Sequence, residues 1–206
     1  MALNLSPELN RVSTIDRLQA RRVDYYKFPD NPTTTTIEGY NVLEYIPQEI
    51  VMENIKQIAE LIDPNEFDAV VVNETGGIYL YKLLSEFNPE ITLRDTFPVN
   101  YKRAPGGYNS DVIKPIPESI RGTKTLLIED IYDTGGTIEA IKKHSPDTVS
   151  VVAVQKAGIL NQIALNNIFP AVITDDVWLG GVGMDFGTEN YPIDFPRDLR
   201  SIVVMP

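Results

Sequence analysis

Two carboxylates, Glu129 and Asp130, stand side by side after the apolar run Leu126-Leu127-Ile128. Ile131-Tyr132 follows, then Asp133-Thr134-Gly135-Gly136-Thr137, and then the start of a predicted helix at Ile138. Glycines and hydroxyls at a helix start present a row of backbone N–H groups with no partner inside the helix, a cradle for a phosphate dianion. Acids next to that cradle would repel the phosphate itself. They make sense when the ligand also brings hydroxyl groups or a bound cation for the carboxylates to hold. A capped strand–turn–helix explains Thr134 or Thr137 as caps, but not an acid pair ahead of two glycines. No Lys-Ser/Thr pair follows the glycines, so the segment is not a P-loop, nor does it have the spacing of a dinucleotide fingerprint.

The elements that must position these residues alternate along the chain. Pro47 opens a helix in which Val51, Ile55, Ile58 and Ile62 recur at helical spacing, and Asp63-Pro64-Asn65 stops it. Ala69–Val72 is a predicted buried strand that runs into Asn73-Glu74-Thr75-Gly76-Gly77. A helix from Ile78 to Phe87 and a strand from Thr96 to Tyr101 come next. Lys102–Ser119 is polar, rich in Gly and Pro and without periodicity, which predicts a mobile functional loop. Val149–Val154 is a strand ending at Gln155-Lys156; a short helix near Leu160–Leu165 and a strand at Ala171–Thr174 follow. Val177–Pro196 is irregular, and Ser201–Met205 closes the order as a strand. Ahead of all this, Ser6-Pro7-Glu8 reads as a helix start with Val12, Ile15 and Leu18 as a thin apolar stripe. Residues 29–36 read as a loop or edge strand, and Val23–Tyr45 as a hairpin.

This alternation predicts an α/β fold: an open, mostly parallel twisted sheet flanked by helices, with a small cap from the N-terminal region and residues 175–196. A single domain spans 1–206, divided into an N-terminal arm and hairpin (1–46), a core (47–174) and the cap segment (175–196). Ligands in such sheets bind beyond the carboxyl ends of the strands. Asn73–Gly77, Lys102–Ser119, Glu129–Thr137 and Lys156 all fall there.

The totals narrow the chemistry. The chain has 206 residues and is 43% hydrophobic, enough for a full core. It has no cysteine and a single histidine, His144, which follows Lys142-Lys143 and reads as a solvated helix-end residue. Thiolate chemistry, Ser-His-Asp catalysis and multi-histidine metal sites are excluded. A net charge of −11 argues against nucleic acid or an anionic membrane surface as partners. No run is long enough to cross a membrane and no leader is visible, so a cytoplasmic protein is expected.

The stretch Glu129-Asp130-x-x-Asp133-Thr134-Gly135-Gly136-Thr137 resembles the 5-phosphoribosyl-1-pyrophosphate (PRPP) motif of the type I phosphoribosyltransferases, most of all the branch acting on hypoxanthine, guanine and xanthine. The resemblance implies that Asp133–Thr137 hold the 5-phosphate and that Glu129 and Asp130 hold the ribose hydroxyls, directly or through Mg²⁺ and water. It makes Asp133 the general acid/base at the purine. Val152–Lys156 is similar to the segment whose lysine donates to the purine O6; lysine is a donor only, which favours a 6-oxo group. Asp176-Val177-Trp178-Leu179 with Gly183-Met184-Asp185 resembles the base-binding segment. Trp178 is then the stacking ring, the Leu179 carbonyl faces the C2 edge, and Asp185 reaches the metal shell. Phe195–Leu199 resembles a stretch whose arginine, here Arg197, reaches pyrophosphate. Thr75 and Gly76 fall in the pyrophosphate loop.

The expected activity is Mg²⁺-dependent transfer of phosphoribose from PRPP to a 6-oxopurine in purine salvage, by a homodimer or homotetramer. Two features depart from the family. Thr75, beside Glu74, stands where a basic residue is usual, and Asn100-Tyr101 stands where the loop often opens with Ser-Tyr. Two other readings use the same motif. One is a PRPP-sensing regulator without turnover, which the altered pyrophosphate loop favours. The other is a transferase for orotate, uracil or adenine, against which Lys156 and Asp133-Thr134-Gly135 speak.

Overall fold

A computed structural model describes residues 12–32, 34–37, 40–103, 110–158, 167–184 and 199–204. Its main sheet has seven strands in the order β1-β9-β8-β7-β4-β5-β6. These are β1 (Tyr25–Tyr26), β4 (Ala69–Asn73), β5 (Thr96–Arg103), β6 (Ser110–Lys114), β7 (Thr125–Tyr132), β8 (Val149–Lys156) and β9 (Ile168–Thr174). Neighbours run parallel, except that β5 and β6 are antiparallel. Every residue of β4, β8 and β9 is buried. That is the pattern of parallel strands covered on both faces.

Alternate side chains divide between two cores. On one face Val70, Val72, Leu126 and Ile128 pack with α2 (Gln48–Leu61) and α3 (Gly77–Phe87) through Ile55, Ile58, Leu80 and Leu84. On the other, Ala69, Val71 and Leu127 pack with Ile138 and Ile141 of α4 (Gly136–Lys142) and with Ile116 and Ile120. A first helix, α1 (Thr14–Ala20), is capped by Ser13, and Thr14 donates to Glu66 at 2.7 Å.

A second, antiparallel sheet forms the cap, in the order β10-β11-β3-β2. Here β2 (Thr34–Ile37) and β3 (Tyr40–Ile46) come from the N-terminal region, while β10 (Leu179–Gly180) and β11 (Ile202–Val204) come from the other end of the described chain. Tyr45, Ile46, Leu179, Met184 and Ile202 join the core beneath, so the cap is continuous with the main domain.

Several sequence expectations shift. The hairpin expected over Val23–Tyr45 is confined to β2 and β3, because Tyr25–Tyr26 pairs with Ile173–Thr174 at the edge of the main sheet. The loop expected at Lys102–Ser119 contains β6, paired with β5. As an edge strand with Val112 and Ile113 exposed, it shows no burial alternation to read. The closing strand, β11, joins the cap sheet. The strand before the acid motif continues through it to Tyr132, and the helix begins at Gly136, two positions before Ile138. The helix start at Ser6 and the helix near Leu160–Leu165 lie outside the described residues.

Candidate active site

The acid pair lies on the last turns of β7, next to β4 and β8 at the carboxyl edge of the sheet. Glu129 is buried; Asn73 Nδ2, at the end of β4, donates to its Oε2 at 2.8 Å. The Asp130 backbone N–H donates to the other Glu129 oxygen at 3.3 Å. Burial holds the Glu129 carboxyl well above the usual carboxylate range. The Asp130 charge and a hydrogen bond between the two carboxyl groups push it the same way, against the Asn73 donor.

Two glycines set how closely the loops stack on this pair. A Cβ on Gly76 would lie 2.0 Å from Asp130 Oδ2. Gly183, at φ +95°, sits over the Gly76 carbonyl, where a Cβ would come within 2.3 Å. Cap segment, Asn73–Gly77 loop and acid pair are therefore in direct contact, and a methyl group fits at neither level. Helices α3 and α4 both begin at this edge, from Gly77 and Gly136, so their first-turn N–H groups open toward it. Gly135 supplies the left-handed turn into α4, at φ +83°.

On the other side of β7, Lys156 ends β8 almost fully buried. Its Nζ lies 3.2 Å from Asp133 Oδ1 and 3.0 Å from Asp176 Oδ1. It also sits 5.9 Å from the centre of the Trp178 ring. Trp178 is 48% exposed, too open for a core tryptophan and placed as a platform. A cleft of about 440 Å³ is lined by Asp133, Thr134, Lys156, Gly158, Asp176, Val177 and Trp178. A smaller recess of about 130 Å³ shares Asp133, Lys156 and Trp178 and adds Asp130, Ile131, Leu179 and Met184. A flat aromatic wall, a buried ammonium and two carboxylates suit a planar heterocycle with polar edges.

The structure thus gathers Asp130, Asp133, Thr134, Lys156, Trp178 and Leu179 around one cleft, with Gly76 and Glu129 behind it. Thr75 is half-buried beside Gly76, and Gly136 and Thr137 are half-buried in the first turn of α4. Asp185 and Arg197 lie outside the described residues. Asp176 was not singled out by the sequence; its only signal was an acid directly before Val177-Trp178. Among the described residues no cluster of three or more metal-type ligands occurs. No described helix is long and apolar enough to cross a membrane.

Residues 43–184 match the phosphoribosyl transferase domain. Over 121 residues the chain is 31% identical to an adenine phosphoribosyltransferase of Thermotoga sp. (strain RQ2), covering 50% of this chain and 68% of that one. An adenine phosphoribosyltransferase of Petrotoga mobilis is 28% identical over 127 residues, 55% of this chain and 72% of the relative. Among solved structures, a hypoxanthine phosphoribosyltransferase from Trypanosoma cruzi, in complex with the product IMP, superposes with a TM-score of 0.61 at 16% identity, covering 84% and 97% of the two chains. A hypoxanthine-guanine phosphoribosyltransferase from Bacillus anthracis gives 0.56 at 18%, covering 78% and 95%. These two superpositions share the fold with the present chain. The domain match spans more than half of the sequence, and with the acid pair, the glycine turn and the parallel sheet it makes this chain a member of the phosphoribosyltransferase family, built on the type I fold.

Proposed function

We propose that the protein transfers the 5-phosphoribosyl group of PRPP to a 6-oxopurine, releasing pyrophosphate. A purine ring nitrogen attacks C1 of the ribose, the bond from C1 to the pyrophosphate oxygen breaks, and the ring proton passes to Asp133. The observation that carries this reading is the buried Lys156, which can only donate, held between Asp133 and Asp176 beneath an exposed Trp178. An ammonium aimed at the base cleft favours a carbonyl over an exocyclic amine. Asp133, tied to Lys156, sits where it can take the ring proton while Lys156 donates to O6.

The 5-phosphate is assigned to the turn Asp133–Thr137, whose glycines let the backbone approach closely. Asp130, the outward member of the acid pair, is assigned to the ribose hydroxyls. Mg²⁺ fits this edge by its chemistry: two adjacent carboxyl groups, one pushed toward its protonated form by burial and by its neighbour's charge, are oxygen donors that a hard cation would favour in the ionised form. When bound, Mg²⁺ supplies charge neutralisation at the pyrophosphate.

A second reading takes adenine as the acceptor. The two sequence relatives named above are adenine phosphoribosyltransferases, and the Lys156 ammonium is already engaged by two carboxylates. One experiment separates the readings. Purified protein with Mg²⁺ and PRPP is offered guanine, hypoxanthine, xanthine and adenine, and monophosphate formation is followed. Turnover of a 6-oxopurine is expected; turnover of adenine alone would replace the first reading by the second. Tight PRPP binding with no turnover of any base would make the protein a sensor.

A further inference from the structure

The described groups around the cleft are mostly negative. Asp130, Asp133 and Asp176 line it, Glu129 lies behind Asp130 and Glu74 stands two residues before Gly76 on the neighbouring loop, and Lys156 is neutralised between two of the lining acids. PRPP is itself strongly anionic, so this edge needs a cation that can reach the leaving group. The loop Asn73–Gly77 contains none. The structure does place one on it: Lys114 Nζ, at the end of β6, lies 2.7 Å from Glu74 Oε1.

This pair differs from an incidental surface bridge in several ways. It joins residues far apart in sequence, from a hairpin strand to the loop at the end of β4. The loop is fixed on both sides of Glu74: Asn73 donates to Glu129, and Gly76 sits against Asp130. The Glu74 N–H is itself bonded to the Val99 carbonyl at 2.8 Å. Lys114 also pairs with Asn100 across the β5–β6 ladder, so the two side chains leave the same face of the hairpin. The Asn100 side-chain oxygen is buried without a hydrogen-bond partner among the described residues, an open acceptor beside Lys114. The Lys114 side chain is 48% exposed, so its long stem can swing without leaving a buried charge behind.

We propose that Lys114 is a pyrophosphate-binding cation of this protein, parked on Glu74 until PRPP binds and then transferred to the leaving group. Glu74 is its positioning residue. The inference rests on the proposed PRPP-dependent reaction. It assigns to the neighbouring hairpin a charge that the loop does not carry.

The test uses the single tryptophan, exposed in the base cleft, as a fluorescence probe. PRPP, pyrophosphate and the purine monophosphates GMP, IMP and AMP are titrated with Mg²⁺ into wild type, Lys114→Ala and Lys114→Arg. Lys114→Ala should weaken PRPP and pyrophosphate about tenfold, the size expected for one exposed charge-assisted hydrogen bond. Monophosphate binding should be unchanged, since a monophosphate has no pyrophosphate group. Lys114→Arg should recover most of the loss. Equal weakening of all ligands, or no change in any, would overturn the inference while leaving the proposed reaction standing. A wild type that binds neither PRPP nor pyrophosphate would overturn both.

Discussion

The proposed base side and the proposed pyrophosphate side of the site hold their charges by opposite means. On the base side Lys156 is buried at the end of a central strand, fixed by Asp133 and Asp176, with Trp178 beside it. On the pyrophosphate side Lys114 and Glu74 are about half exposed and meet across the outermost hairpin of the sheet. A buried ion pair is costly to break, because the survivor keeps its charge without water; an exposed pair contributes little to stability and is easily exchanged. Under the proposed reaction, one side holds a heterocycle at fixed geometry. The other can release a charge to a ligand that must leave.

The largest test of this contrast is Asp133→Asn. It removes both the proposed proton acceptor and one partner of Lys156, and kcat should fall about 10²–10⁴-fold, the usual worth of a general acid/base. PRPP affinity should largely survive. Steady-state assays at saturating PRPP measure it, and an undiminished kcat would remove Asp133 from the chemistry. Lys156→Gln comes next. Asp133 and Asp176 would be left without the cation between them, and kcat/KM for the base should drop about 10–100-fold, in line with losing a charged hydrogen bond. A comparable rise in the KM for PRPP would blur the division between the two sides. Trp178→Ala should weaken base binding by about 1–3 kcal/mol with PRPP untouched, read from KM for each substrate.

The smallest expected effect lies behind the base side. The Tyr45 hydroxyl donates to the Tyr26 carbonyl and accepts from the Asp175 N–H at 3.1 Å, beside the segment that carries Trp178. Tyr45→Phe removes both hydrogen bonds and should cost about 1–2 kcal/mol, measured by urea unfolding. Burial, the largest cause, pushes the Tyr45 phenol up from 10.0 to about 12. The folded chain therefore holds this proton more tightly than the unfolded one. Stability contributed by the hydroxyl is present below pH 10 and is lost as pH rises toward about 12. The Phe variant should lack that decline.

The base side was far more legible in the sequence than the pyrophosphate side. Glu129–Thr137 and Lys156 sit at the ends of continuous apolar runs, Trp178 follows β9 within four residues, and buried strands announce themselves by composition. The ends of such strands share one edge by topology, so their polar residues converge without further information. Strand β6 has exposed Val112 and Ile113 and no inward face to set a period, so it reads as loop. The Lys114–Glu74 bridge depends on that unseen strand and its register. Asp176 and Gly183 act through contacts with residues distant in the chain, Lys156 and Gly76, which no local pattern encodes. Strand β1 pairs in parallel with β9, its neighbour at the sheet edge but far along the chain, again a long-range choice.

The cap sheet carries a consequence for the order of assembly. Among the described residues strand β10, which follows Trp178, pairs only with β11, and β11 alone joins it to β3. Synthesis runs from the N-terminus, and β11 is the last strand described. The phosphate turn, the acid pair and Lys156 can all be in place on a nascent chain before the wall of the base cleft is fastened. The wall of the proposed base cleft is thus fastened only after the strands that carry the acid pair and Lys156 have been made.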